Sequence, residues 1–192
     1  MVQMIFNDDI NAAVATLKNK GVILYPTDTI WGLGCDATND EAVKKIFNIK
    51  TRDETKSLII LANNVQMLEH YVEIIPVTAF ELISATEKPL TIIYPKGRNL
   101  AKGVCAADGS IGIRICRDEF CNQLLTLLGK PLVSTSANFS GKPSPDFFGD
   151  IEPDLVNTVD YSVKYRQEDR QKSTPSSIVK LNADGTINII RK

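Results

Sequence analysis

Histidine is nearly missing from this chain of 192 residues, and His70 is the only one. That excludes a His-rich metal site, and a place within a helical stretch makes His70 a surface residue rather than a catalyst. Cysteine is scarce too. Cys35, Cys105, Cys116 and Cys121 contain no C-x-x-C pair, so no paired Cys/His zinc signature can be built. All four read as buried, inert thiols of a reducing compartment. Long apolar runs are absent, since Leu58-Ile59-Ile60-Leu61-Ala62 is far short of the roughly 20 residues a membrane helix needs. An excess of one charge is also lacking. Twenty-two basic and 23 acidic residues leave a net charge of −1, which provides no global field toward nucleic acid or an anionic membrane. The start, Met1 to Asp9, has neither a basic leader nor a long apolar segment. The expectation is a soluble, cytoplasmic protein making no membrane contact. There is no internal repeat, no G-x-x-x-x-G-K-[ST] phosphate loop, no G-x-S-x-G elbow and no evident pair of catalytic carboxylates.

What is present suffices for a core without staples. Hydrophobic residues make up 43% of the chain, and a chain of this size buries roughly 70% of its unfolded surface. Asn7-Asp8-Asp9 reads as a helix start, with Ile10, Ala13, Val14 and Leu17 at helical spacing and Gly21 closing the helix. Val22–Tyr25 reads as a buried strand ending at Pro26. Asn39-Asp40-Glu41 opens a second helix whose Val43, Ile46 and Phe47 face inward. A strand at 58–62, helices near 64–71 and 77–85, and strands at 90–94 and 111–115 follow. Phe120, Leu124, Leu127 and Leu128 mark a helix that Gly129 ends, and 132–136 is a strand running into a polar loop. Residues 138–153 carry three prolines and read as a long loop or short linker. Asn182-Ala183-Asp184-Gly185 is a hairpin turn between two strands. Irregular alternation of helix and strand argues for one α/β domain, 1–192, with a mixed sheet.

Few residues offer chemistry. Gly32-Leu33-Gly34-Cys35-Asp36-Ala37 matches the dinucleotide pattern G-x-G-x-x-G/A. Thr27 to Trp31 separates it from the preceding strand, however, and the fingerprint belongs at a strand's end. Tyr25-Pro26-Thr27-Asp28-Thr29 could present hydroxyls, a carboxylate and amides to a ligand, or be a turn whose side chains bond their own backbone. Lys50-Thr51-Arg52, with Lys56 beyond, could complement a helix dipole or clamp phosphate. Ser134-Thr135-Ser136-Ala137-Asn138-Phe139-Ser140-Gly141 follows an apolar strand, where α/β sheets bind ligands, and could equally be a polar loop. Arg114 interrupts an apolar strand. It faces either solvent or a cleft where it receives a carboxylate. Ser173-Thr174-Pro175-Ser176-Ser177 is hydroxyl-rich just before a strand.

In combination these pieces gain meaning. The ordered set of Tyr25–Thr29, Trp31–Ala37, Ile49–Arg52, Ile111–Arg114, Ser134–Gly141 and Pro175–Val179 resembles the YrdC-like threonylcarbamoyl-AMP synthase family over roughly residues 8–181. The resemblance implies a twisted mixed β-sheet with helices around a deep, locally positive central cavity. It also implies a nucleotidyltransferase that joins ATP, L-threonine and bicarbonate (or CO2) into threonylcarbamoyl-AMP and pyrophosphate, with Mg2+ accompanying the ATP. A downstream tRNA threonylcarbamoyl transferase would pass the group to adenosine 37 of tRNA. Family positions carried onto this chain make Lys50 and Arg52 catalytic. Those two, with Ser110, Ser136 and Asn138, would bind ATP, while Thr27, Arg114, Ser134 and Ser176 would bind threonine. No protein side chain is assigned to a metal. Two departures, Asp53 and Lys56-Ser57-Leu58 after the Lys-Thr-Arg run and Glu87-Lys88-Pro89-Leu90 before a strand, bear on loop stiffness more than on charge. Rival readings are a double-stranded RNA or tRNA-binding module of the same fold, a carbamoyl-transfer domain of hydrogenase-maturation type, and a dinucleotide oxidoreductase.

Overall fold

The computed structural model describes residues 2–51, 58–172 and 174–192. Its elements are α1 (Val2–Lys18), β1 (Ile23–Tyr25), β2 (Gly32–Gly34), α2 (Asp40–Lys50), β3 (Ile59–Ala62), α3 (Val65–Tyr71), α4 (Val77–Ala85), β4 (Leu90–Tyr94), β5 (Ile111–Ile115), α5 (Glu119–Leu128), β6 (Leu132–Ser136), α6 (Pro153–Val156), β7 (Tyr161–Ser162), β8 (Ser177–Leu181) and β9 (Ile187–Arg191). The strands form one mixed sheet in the order β7-β1-β2-β6-β3-β5-β4-β8-β9. β1 and β7, β3 and β5, and β4 and β8 run parallel, and the remaining neighbours are antiparallel. None of the described helices is long and apolar enough to cross a membrane.

Successive residues of a strand face opposite sides, so a strand that is apolar throughout fills two cores. Ile23, Tyr25, Leu61 and Leu132 join α1 and α5 on one face. Val22, Leu24, Ile60, Ala62 and Val133 join α2 and α3 on the other. The expected α2 cap is present, with Asn39 Oδ1 accepting from the amide of Ala42 at 3.0 Å. Gly129 closes α5 in the left-handed conformation at φ 69°. Inside α5, Leu125 is buried and Leu127 is 52% exposed.

Two local expectations are corrected. α1 begins at least five residues before Asn7, so Asn7-Asp8-Asp9 lies within the helix. Tertiary packing overrides the cap signal: Phe6 is buried edge-on against Phe120 and Tyr165. Asp9 turns inward, accepting from Tyr161 Oη and the Tyr165 amide, both at 2.6 Å. The left-handed residue after α1 is Lys20, at φ 61°. Gly21 is required instead for close approach, since a Cβ there would lie 2.5 Å from Thr16 Cγ2.

Gly32-Leu33-Gly34 is not a phosphate loop but strand β2, between β1 and β6. A Cβ on Gly34 would meet the Tyr25 ring at 2.7 Å and the Val133 carbonyl at 2.9 Å, so glycine here serves sheet packing. The 138–153 stretch is a packed loop, anchored where the Phe148 ring meets Trp31 at 4.9 Å between centroids.

Among the described residues, Asp9 is the acceptor for both Tyr161 Oη and the Tyr165 amide. Asp9→Ala leaves both donors unsatisfied and is expected to lower unfolding free energy by about 2–3 kcal/mol. Urea denaturation measures this, and a loss below about 0.5 kcal/mol would show that the contact is not structural.

Candidate functional site

The polar ends of β6 and β5 meet the starts of β2 and β8 around a cavity of about 260 Å³. Arg114 from β5, Ser134 and Ser136 from β6, Ser176 before β8 and Arg191 from β9 line it. No carboxylate is among its described lining residues. Arg114 is 5% exposed because its strand position points into the cleft, so the cleft reading of this residue prevails over the solvent-facing one. Its Nη2 lies 3.0 Å from Asp28 Oδ1. The two are paired by distance but not in hydrogen-bonding alignment, and Arg114 Nε has no hydrogen-bond partner among the described residues. Burial pushes the Asp28 carboxyl above its ordinary value, and Arg114 partly opposes the shift.

Arg191 escaped the sequence reading. A register shift at Ile178/Val179 sets Arg191 opposite Ile178 and Ile189 opposite Val179, leaving Ile190 as the extra residue of a bulge. Bulges re-aim side chains, and Arg191, exposed overall, lines the cavity, its Nε donating to the Ser176 carbonyl at 2.9 Å. Burial first, then the neighbouring Arg114 charge, lowers its pKa. An arginine ending an apolar strand was the available signal, the same one that drew attention to Arg114. The bulge that decides its direction has no such mark.

Lys50, at the C-terminal end of α2, is 3% exposed. Its Nζ donates to the Ser136 carbonyl at 2.6 Å and to Asn138 Oδ1 at 3.0 Å. The Ser136 hydroxyl is hydrogen-bonded to the same Asn138 oxygen. The Ser140 amide donates to the Lys50 carbonyl at 3.1 Å, so the loop after β6 is tied to α2 at both backbone and side chain. Lys50, Ser136 and Asn138 thus form one group, of which Ser136 also lines the cavity. Arg52, with Asp53, Lys56 and Ser57, lies outside the described residues.

The other predicted positions differ in placement. Thr27 forms a turn: its hydroxyl donates to the Ile30 carbonyl at 2.8 Å and accepts from the Thr29 amide at 3.0 Å. Thr29, not Thr27, lines the cavity. Ser110 is turned to Asp108, to which its hydroxyl donates at 2.6 Å, and it is not among the cavity's lining residues. Ser134 lines the cavity, as does Ser176, whose hydroxyl is 2.8 Å from that of Thr91.

Two arginines held close with few counter-charges, among hydroxyls, favour carboxylate or phosphate oxygens. Fold and site together define an α/β protein built to hold small anionic molecules. The Sua5/YciO/YrdC family model, described as telomere recombination, matches residues 15–192, and the chain belongs to this family. A threonylcarbamoyl-AMP synthase of Xanthomonas euvesicatoria pv. vesicatoria is 35% identical over 155 residues, covering 79% of this chain and 83% of its own length. E. coli YciO superposes with a TM-score of 0.81 at 26% identity, covering 95% of this chain and 88% of its own. P. abyssi Sua5 complexed with L-threonine superposes at 0.80 with 27% identity, covering 90% of this chain. This chain spans 50% of that longer protein.

A carboxyl whose pKa is raised in the folded state favours folding while protonated, and that contribution is withdrawn as pH rises through the folded value. For Asp28 the interval starts at the ordinary 3.8 and extends upward. The stability of the native chain relative to Asp28→Asn is therefore expected to decline as pH rises from about 4 toward 7. Parallel denaturant titrations measure the difference, and a pH-independent one would sink the assignment of a burial-raised carboxyl.

Proposed function

We propose that the chain is a threonylcarbamoyl-AMP synthase, acting in the cytoplasm at the first step toward N6-threonylcarbamoyladenosine in tRNA. The observation that carries this reading is the buried Lys50, bonded to Ser136 and Asn138, beside a cavity lined by Arg114 and Arg191, in a family containing synthases of that name. The threonine complex of P. abyssi Sua5 supports L-threonine as one ligand.

The reaction brings anions together. L-threonine's amine and bicarbonate give a carbamate with loss of water. A carbamate oxygen then attacks the α-phosphorus of ATP, the bond to the β-phosphate oxygen breaks, and pyrophosphate leaves. Carbamate and triphosphate repel each other until fixed cations and donors offset their charge. Arg114, whose Nε has no hydrogen-bond partner among the described residues, receives threonine's carboxylate, and Ser134 and Thr29 line the same cavity. Thr27 acts through the turn that presents Thr29. Arg191, Ser136 and the Lys50–Asn138 pair face the phosphates, and the family resemblance assigns Arg52 to the same role. Ser110, buried in the turn leading into β5, supports that strand's placement beside the nucleotide. Mg2+ arrives as part of the Mg–ATP substrate. Among the described residues no group of three or more His, Cys, Asp or Glu could hold a metal, and Mg2+ carried by the ATP phosphates would offset part of their charge. Confinement also protects the carbamate, which decomposes in bulk water. A tRNA threonylcarbamoyl transferase then consumes the product.

Pyrophosphate release from ATP is expected to require both L-threonine and bicarbonate. Lys50→Ala and Arg191→Ala are each expected to lower kcat/KM by about 100-fold while circular dichroism shows a folded chain, the magnitude of losing one preorganised charge contact. Release independent of threonine would overturn the reading, and full turnover in both variants would remove the phosphate assignments.

A further inference from the structure

The sheet has a second cleft, of about 260 Å³, on the face opposite the cavity. β5 separates the two: Arg114 points into the cavity, while Ile113 and Ile115 point into the cleft. Leu90, Ile92 and Tyr94 of β4 complete its floor, and Ile83 of α4 is part of its roof. α4 is loosely seated, with Ala79 its single buried residue. The walls are therefore apolar, and water gains little there.

The rim is not apolar, and its charges are uneven. Asp28, Glu87 and Asp118 border the cleft, against Lys88 and Arg117. Arg117 donates to the Ile83 carbonyl at 2.9 Å, while Asp118 caps α5 by accepting from the Cys121 amide at 2.9 Å and lies 3.5 Å from Arg166. The C-terminal end of α4 opens on the same rim, and the last turn of that helix has no basic residue. A helix C-terminus carries partial negative charge. Asp28 Oδ1 itself is buried against Arg114, 3.0 Å from its Nη2, and the Asp28 side chain borders the cleft from that position. The Asp28 and Glu87 carboxylates and the helix C-terminus favour a cation, while the walls favour hydrocarbon.

We propose that this cleft is a second small-molecule site, which takes a primary amine on a compact aromatic or branched aliphatic body. The volume lies near the lower end of small-molecule sites, roughly 300 Å³, which limits the body to one ring or a short branched chain. The ammonium sits at Asp28 and the body between Ile83 and the β4–β5 floor. Asp28 is also the partner of Arg114 at 3.0 Å, so it belongs to both compartments. An ammonium bound to Asp28 competes with that ion pair and changes how Arg114 is held. Amine binding in the cleft and ligand binding in the cavity are thereby coupled, and coupling of this kind is reciprocal. The coupling rests on L-threonine as a ligand of the cavity, whereas the site itself does not.

Isothermal titration of the full chain with benzylamine, cationic at neutral pH, and with the neutral benzyl alcohol tests the site. Benzylamine is expected to saturate one site and to bind at least about tenfold more tightly than the alcohol, a difference of about 1.4 kcal/mol. Ile83→Trp, which fills the cleft from a half-buried helix position, is expected to abolish this binding while the chain stays folded. Absence of saturable binding, equal binding of the two probes, or benzylamine binding retained in Ile83→Trp would each overturn the proposal. The first two comparisons use the native chain and do not depend on a variant folding. With L-threonine at saturation the benzylamine Kd is expected to shift at least about threefold, and an unchanged Kd would overturn the coupling. A separate threonine titration distinguishes the two readings, because failure of threonine to bind removes the cavity assignment and leaves the cleft result standing.

Discussion

A buried ammonium must be hydrogen-bonded, since a lysine taken out of water without partners would lose its charge instead. Lys50 meets that demand by bonding the Ser136 carbonyl and Asn138 Oδ1, and the rest of the site follows from it. The contact joins the C-terminal end of α2 to the C-terminal end of β6, residues 86 and 88 positions apart in the chain. It also tethers the loop after β6, whose Ser140 amide reaches back to Lys50. Because β6 is paired on both sides, with β2 and β3, the tether fixes the polar strand end within the sheet.

The cavity beside this tether has an unbalanced charge. Arg114 and Arg191 reach it from different strands, and Asp28, the acid paired with Arg114 among the described residues, is not part of its lining. Two guanidinium groups so placed repel each other until anionic oxygens arrive, and the Arg114 charge adds to burial in lowering the Arg191 pKa. The hydroxyls of Ser134, Ser136 and Ser176 add donors without adding negative charge. The protein thus has an overall charge of −1 but a locally cationic pocket, so the global balance says little about its ligands.

Much of the fold was legible. Strands apolar on both faces, an Asn cap before α2, a glycine after α5 and an Asn-Ala-Asp-Gly turn are short-range signals, and each is realised by contacts within a few residues. The start of α1 was misread because its cap-like Asn7-Asp8-Asp9 competes with aromatic burial of Phe6 and a long-range role for Asp9. Gly32 and Gly34 look like a phosphate loop in sequence because a close-packed strand and a dinucleotide turn both require glycine. Which requirement applies depends on Tyr25 and Val133, and both neighbours arrive through sheet pairing.

The site divides along the same line. Sequence alone determined which residue types were available and that six weak motifs occur in a particular order, enough to indicate the family. It also determined that Arg114 interrupts an apolar strand, because strand alternation is local. Tertiary structure alone decided that Lys50 meets Ser136 and Asn138, that Thr29 rather than Thr27 faces the cavity, and that a bulge in the last strand turns Arg191 toward the cavity. It also decided that Asp28 stands between two compartments. Most of these depend on elements distant in the chain coming together, and the energy that sets their register is spread over the two cores rather than written in the residues that form the site.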